Sequence, residues 1–92
     1  MGHLENTLYN INVNELTTEE KEKMIDEGLR QVHKALCEKG YNPLAQIVGY
    51  ILTEDPTYIT SYNNARKIMN KMDRYEVLEV LLKKYFKENE NA

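Results

Sequence analysis

The stretch KGYNPLAQIVGYILTEDPTYIT, residues 39–60, sets glycine and proline on both sides of an apolar run, and its reading decides how the chain is organised. Gly40 suits the left-handed turn that ends a helix, and Asn42 suits the cap of the next. Pro43 suits that helix's first turn, where its missing N–H removes no bond. Leu44, Ile47, Val48, Ile51 and Leu52 then recur at i, i+3, i+4, i+7 and i+8, the period of a buried helical face, so their expected place is the core. Ala45 and Gly49 lie one turn apart with Gln46 and Tyr50 beside them. Small residues at that spacing allow a second helix to come close, which makes Ala45, Gly49 and Tyr50 the expected dimer contact. The "EDP" sequence then stops the helix, and Asp55 before Pro56 opens a further short turn through Ile59.

Upstream, Thr17 and Glu20 fit a capping box, and Lys39 with Gly40 marks the end of a helix whose core face is Ile25, Leu29, Val32 and Leu36. Gly28 in its middle means either that another backbone comes close there or that the helix tolerates a cost of about 1 kcal/mol. Downstream, a third helix capped by Ser61 is expected to bury Ala65, Ile68, Met69 and Met72, and to turn Arg66, Lys67, Asn70, Lys71 and Arg74 to solvent. A fourth opens with Asp73 and Glu76 as a second capping box and offers Val77, Leu78, Leu81, Leu82 and Tyr85 to the core. Residues 1–16 have no helical period; Tyr9, Ile11 and Val13 alternate with asparagines, but no second strand pattern exists to pair with them. The expected organisation is a flexible regulatory tail over 1–16, a helical domain over 17–87 and a frayed end over 88–92. The fold class is all-α, a compact bundle of about four helices.

The totals agree with this and exclude several classes. At 92 residues a single core is only just adequate, so self-association is a natural supplement. With 41% apolar and 29% charged residues the chain is too rich in core-formers for wholesale disorder. No apolar run approaches a membrane span, and the first ten residues lack the blocks of a secretory signal; a lone Cys37 forms no internal disulfide, which suits a reducing cytoplasm. The net charge of −3 disfavours nucleic acid, yet it is unevenly spread. Residues 1–28 hold seven acidic and two basic side chains, whereas Arg66, Lys67, Lys71 and Arg74 form a basic patch opposed by Asp73 alone.

Catalysis finds little footing. Ser61 is the only serine, and His3 and His33 lack a triad partner. His33 and Cys37, one turn apart, could both touch a metal, but two ligands without a third read better as a plain helix surface. No cofactor or metal is expected. The basic face suits DNA phosphate, a carboxylate-rich protein or a phosphorylated segment, or is simply solvated. A dimeric helix-turn-helix-like regulator reading DNA with residues 62–74 is the alternative function, although the break before that helix is much longer than the motif's turn. Thr7 stands in the tail, where a kinase cleft would take it in extended form and a phosphate would add about −1.5 to −2 charges.

The run EKGYNPLAQIVGYILTEDPTYIT, followed by NARKIMNKMDRYEVLEVLLKKYF, closely resembles the IreB family of small cytoplasmic regulatory phosphoproteins of low-GC Gram-positive bacteria. The resemblance covers about residues 35–86, with a shorter match at ENTLYNI upstream. It implies a helical homodimer without enzymatic activity. It also implies a substrate of a membrane Ser/Thr kinase with extracellular PASTA domains and of its partner phosphatase, acting in cell-envelope homeostasis. Members are linked to proteolytic control, through the Clp protease machinery, of the enolpyruvyl transferase that commits precursor to peptidoglycan. Carried over by position, the phosphoacceptor threonine falls on Thr7 and the arginine-rich helix on residues 61–74, where Arg66 and Arg74 match. Ser61 and Asn70 stand where the family usually has arginine, and Leu4 where it often has a second phosphorylatable residue, so a single-site switch is expected.

Overall fold

A computed structural model describes residues 16–90, with side chains placed through Lys87. Among them are four α-helices and no strand: α1 (Thr18–Glu38), α2 (Pro43–Thr53), α3 (Ala65–Lys71) and α4 (Arg74–Glu90), with 3-10 turns at Pro56–Tyr58 and Tyr62–Asn64. The tail, including Thr7 and the alternation from Tyr9 to Val13, lies outside the described residues. At the other end, α4 continues to Glu90, past the expected domain limit at residue 87.

Local chemistry sets the boundaries. The α1 capping box is complete: Glu20 N donates to Thr17 Oγ1 at 3.1 Å and Thr17 N to Glu20 Oε1 at 2.9 Å. Bonding from Thr17 to the Glu20 carboxylate, its backbone amide first and its hydroxyl second, holds that carboxyl below its ordinary range. Gly40 takes φ +81 at the corner, Asn42 Oδ1 accepts from Ala45 N at 3.1 Å, and Pro43 opens α2. Glu54 closes α2 in a left-handed conformation at φ 62. Asp55 then receives the Thr57 amide at 2.9 Å and its hydroxyl at 2.6 Å. These bonds, the hydroxyl's first, hold the Asp55 carboxyl below its ordinary range.

Ser61 makes no side-chain cap. The chain enters α3 instead through Asn63 and Asn64, left-handed at φ 50 and 61, a conformation asparagine tolerates better than most residues. Only half of the second capping box forms, with Glu76 N donating to Asp73 Oδ1 at 3.1 Å. The Glu76 carboxylate goes to Lys21, 3.2 Å away.

The core lies between α1 and α3, closed by the first 3-10 turn and one side of α4. Val32, Leu36, Ile59, Ala65, Met69 and Val77 are fully buried, and Ile25, Ala35, Tyr50, Met72 and Val80 nearly so. Burying a side chain of this size stabilises by about 1.5–3 kcal/mol. Gly28 is where α3 settles on α1: a Cβ there would lie 2.9 Å from Met72 Sδ and 3.2 Å from Ile68 Cγ2. The glycine serves close approach, by side chains of α3 rather than by its backbone.

Two expectations about the core are overturned. Leu44, Val48 and Leu52 are 69, 53 and 76% exposed, while Ile47 and Ile51 only pack against the edge of the core. Likewise Leu78, Leu81, Leu82 and Tyr85 of α4 are exposed, and the residues it buries are Val77 and Val80. The reason is coverage. Both helices carry apolar residues on more than one face, and each meets the rest of this chain along one face only.

Candidate functional site

The basic helix is held by its own arginines. Arg66 Nε donates to the Ile59 carbonyl at 2.9 Å, fastening the start of α3 to the segment after the first 3-10 turn. Arg74 Nη1 donates to the Ile51 carbonyl at 2.6 Å, and its Nη2 lies 3.3 Å from Glu54 Oε1. One guanidinium thus bonds a carbonyl of the last turn of α2 and pairs with the carboxylate just beyond it, and it fixes the first turn of α4 against that end. A planar fork is suited to such two-point contact. Asn70 is occupied as well, since Tyr50 Oη donates to its Oδ1 at 3.0 Å.

Of the four basic side chains in the patch, Lys67 and Lys71 are exposed, and Arg66 and Arg74 are half-buried. The face is therefore only partly turned to solvent. Below it, Tyr50, Glu54, Asn70, Asp73, Arg74 and Tyr75 line a small hollow of about 270 Å³. The described residues include no group of three or more His, Cys, Asp or Glu able to hold a metal. His33 Nδ1 and Cys37 Sγ are 3.7 Å apart on the exposed side of α1.

The three residues expected at a dimer contact are separated by the structure. Gly49 does admit a close neighbour, but within the chain: a Cβ there would run into the Tyr58 ring. Tyr50 is 5% exposed and bonded to Asn70. Ala45 alone is exposed, beside Leu44 and one turn from Val48. The side of α2 open to another molecule is therefore Leu44, Ala45, Val48 and Leu52. Sequence reasoning assigned most of it to the core.

On α4, the matching surface is Tyr75, Leu78, Leu82 and Phe86, with Leu81 and Tyr85 beside them and the Tyr85 and Phe86 rings edge-on at 5.1 Å. The signal for both surfaces was present. Apolar residues at 75, 77, 78, 80, 81, 82, 85 and 86 wrap most of the way round a helix, and one neighbouring helix cannot cover them all.

Three ion pairs join α1 to α4: Lys21 with Glu76 at 3.2 Å, Glu22 with Lys83 at 2.7 Å and Asp26 with Lys84 at 2.5 Å. Asp26 also accepts from Arg30 Nε at 2.9 Å, and these bonds, Arg30's first, hold its carboxyl below the ordinary range. The bond to Glu22 raises Lys83.

Set against known proteins, the chain matches the model of the IreB regulatory phosphoprotein family over residues 10–87. It belongs to the IreB family. A UPF0297 protein of Ruminiclostridium cellulolyticum is 56% identical over 72 residues, spanning 78% of this chain and 82% of the relative. The match to the IreB model takes in α1, α2, α3, both corners and α4 through Lys87. It begins three residues after Thr7. No helix among the described residues is long and apolar enough to cross a membrane.

Proposed function

We propose that this protein is a cytoplasmic, non-enzymatic adaptor, switched by a PASTA-domain Ser/Thr kinase and its cognate phosphatase at Thr7 and acting in cell-envelope homeostasis. Control of enolpyruvyl transferase proteolysis by the Clp machinery is the output that the family resemblance implies. The observation that carries the adaptor reading is the exposure of large apolar side chains on α2 and α4 in a chain that belongs to a family of regulatory phosphoproteins. Extended apolar patches on a small domain mark contact surfaces.

In this reading the α2 side formed by Leu44, Ala45, Val48 and Leu52 meets its equivalent in a second copy, giving a homodimer by a self-complementary contact. Gly49 and Tyr50 support that contact from beneath. On the basic helix, Lys67 and Lys71 touch the protein partner, and Arg66 and Arg74 act by holding the helix in place through the Ile59 and Ile51 carbonyls. The half-buried arginines make a poor DNA-reading face, which leaves the helix-turn-helix alternative without a specific observation in its favour.

The test is incubation of the purified protein with the catalytic domain of the cognate kinase and ATP, mapping phosphate by mass spectrometry, with Thr7→Ala as control. Modification confined to Thr7 is expected. Scattered modification that survives Thr7→Ala, or none, would remove the switch from the account.

A further inference from the structure

Helix α4 carries one apolar surface that the rest of the described chain does not cover. Tyr75, Leu78, Leu82 and Phe86, at i, i+3, i+7 and i+11, are 72, 43, 55 and 57% exposed. With Glu79 and two lysines they line a groove of about 690 Å³, and all of these lining residues belong to α4. A strip of that period, about three turns long, is the kind of edge against which a second helix packs, the ridges of each entering the hollows of the other. An extended segment finds no main-chain partner there, because α4 satisfies its own backbone. A helix brings its hydrogen bonds with it.

Charge then selects among helices. Of the charged side chains described on α4, Arg74 lies 3.3 Å from Glu54, Glu76 3.2 Å from Lys21, Lys83 2.7 Å from Glu22 and Lys84 2.5 Å from Asp26. Lys87 is engaged as well. Glu79 is the exception: it is exposed and, among the described residues, makes no hydrogen bond or ion pair. Lys83, one turn further on, answers first to Glu22 and feels Glu79 least. Glu79 follows Leu78 and lies one turn from Tyr75, on the flank of the strip from which paired helices exchange ion pairs.

We propose that the α4 strip takes an amphipathic helix of another protein, one with apolar residues at the same period over about three turns and a lysine or arginine beside them to meet Glu79. Closing an apolar contact around Glu79 takes water from its carboxylate. An arriving cation offsets that cost and an arriving carboxylate adds to it. A second copy of this chain fits less well. Its α2 has no charged residue from Pro43 to Thr53, and the described cations of its α4 are already engaged, so neither helix brings a cation to Glu79 without breaking a bond of its own. This docking rests on the adaptor reading and gives one of its partners a chemistry; the α2 contact and the Thr7 switch stand independently of it.

The test uses the full chain with methyl-labelled leucines and two synthetic helical peptides of the same leucine pattern, one flanked by lysines and the other by glutamates, with binding followed by NMR and calorimetry. The lysine peptide is expected to bind and to shift the Leu78 and Leu82 methyl signals while Leu36 keeps its place, and the glutamate peptide to bind more weakly. Glu79→Lys, a change at an exposed position, should invert that order, and Leu82→Asp should abolish binding of both. Equal affinities in the natural sequence, an order that Glu79→Lys leaves as it was, shifts centred on Leu44 and Leu52 instead of α4, or no binding by either peptide would overturn the proposal. So would Leu78 and Leu82 signals that move on dilution with no peptide present, since a second copy's helix would then cover the strip. None of these outcomes alters the phosphate map at Thr7, which tests the switch by itself.

Discussion

Helices α1 and α4 are of similar length, and both are rich in aliphatic residues, yet they treat those residues in opposite ways. In α1 the row Ile25, Leu29, Val32 and Leu36 is buried or packed against the core. In α4 the row Tyr75, Leu78, Leu82 and Phe86 is exposed, and the core receives only Val77 and Val80. The difference lies in neighbours. The first helix has α2, α3 and α4 around it, so its single stripe is covered. The last has α1 on one side, tied by three ion pairs, and its other sides are exposed among the described residues. A stripe of one face makes core, whereas apolar residues on several faces make core and contact surface together.

Substitutions of equal chemistry should separate the two helices most sharply. Leu36→Ala leaves a cavity at a fully buried site and is expected to cost about 2–5 kcal/mol in chemical denaturation, whereas Leu82→Ala should change the stability of the isolated chain by about 0.5 kcal/mol or less. Equal losses at both positions would show that α4 is covered as thoroughly as α1. A smaller contrast is expected within the basic helix. Arg74→Ala removes a charged donor from the Ile51 carbonyl and should cost about 1–3 kcal/mol; Lys67→Ala, exposed, should leave the unfolding midpoint unchanged while weakening the partner contact. A midpoint unmoved by Arg74→Ala would return that arginine to the partner-facing set.

Smaller again is the cap of α1. Thr17→Ala should cost about 1 kcal/mol and expose the first-turn amides to faster hydrogen exchange, leaving those of α4 unaffected.

The weakest lever is acid. Glu20, Asp26 and Asp55 are held below their ordinary values of 4.5, 3.8 and 3.8 by bonds from Thr17, from Arg30 and Lys84, and from Thr57. A carboxyl lowered in the folded chain binds its proton more readily when unfolded. What these bonds contribute is fully present above the ordinary values and is lost as pH falls through the lower folded ones. The thermal midpoint should be level from neutrality to about pH 5 and decline below about pH 4, with a shallower decline in Asp26→Asn.

Much of the fold was legible because its signals are local. The Thr17 and Glu20 capping box, Gly40 at the corner, Asn42 and Pro43 at the start of α2, and the Asp55 turn each depend on a few neighbouring residues, and each forms as its chemistry dictates. The side of α2 that faces inward was not legible in the same way. Leu44, Ile47, Val48, Ile51 and Leu52 have an ideal period, but Tyr50 offers a competing anchor, and its hydroxyl finds Asn70 while Tyr58 settles on Gly49. Those contacts rotate the helix so that the best stripe in the sequence lies largely outside. The basic patch was likewise found by composition. That two of its arginines bond backbone carbonyls of Ile51 and Ile59 depends on tertiary placement, which spacing along one helix does not encode.

The most direct test of this account is the mass of the intact protein by light scattering across a dilution series, for the natural sequence and for Val48→Asp. Val48 is 53% exposed, so a charge there should leave the helical circular dichroism unchanged. The account predicts the mass of two chains for the natural protein and of one for Val48→Asp at the same concentration. A two-chain mass in both, or a one-chain mass in the natural protein at every concentration, would contradict the claim that the outer side of α2 is a contact between copies.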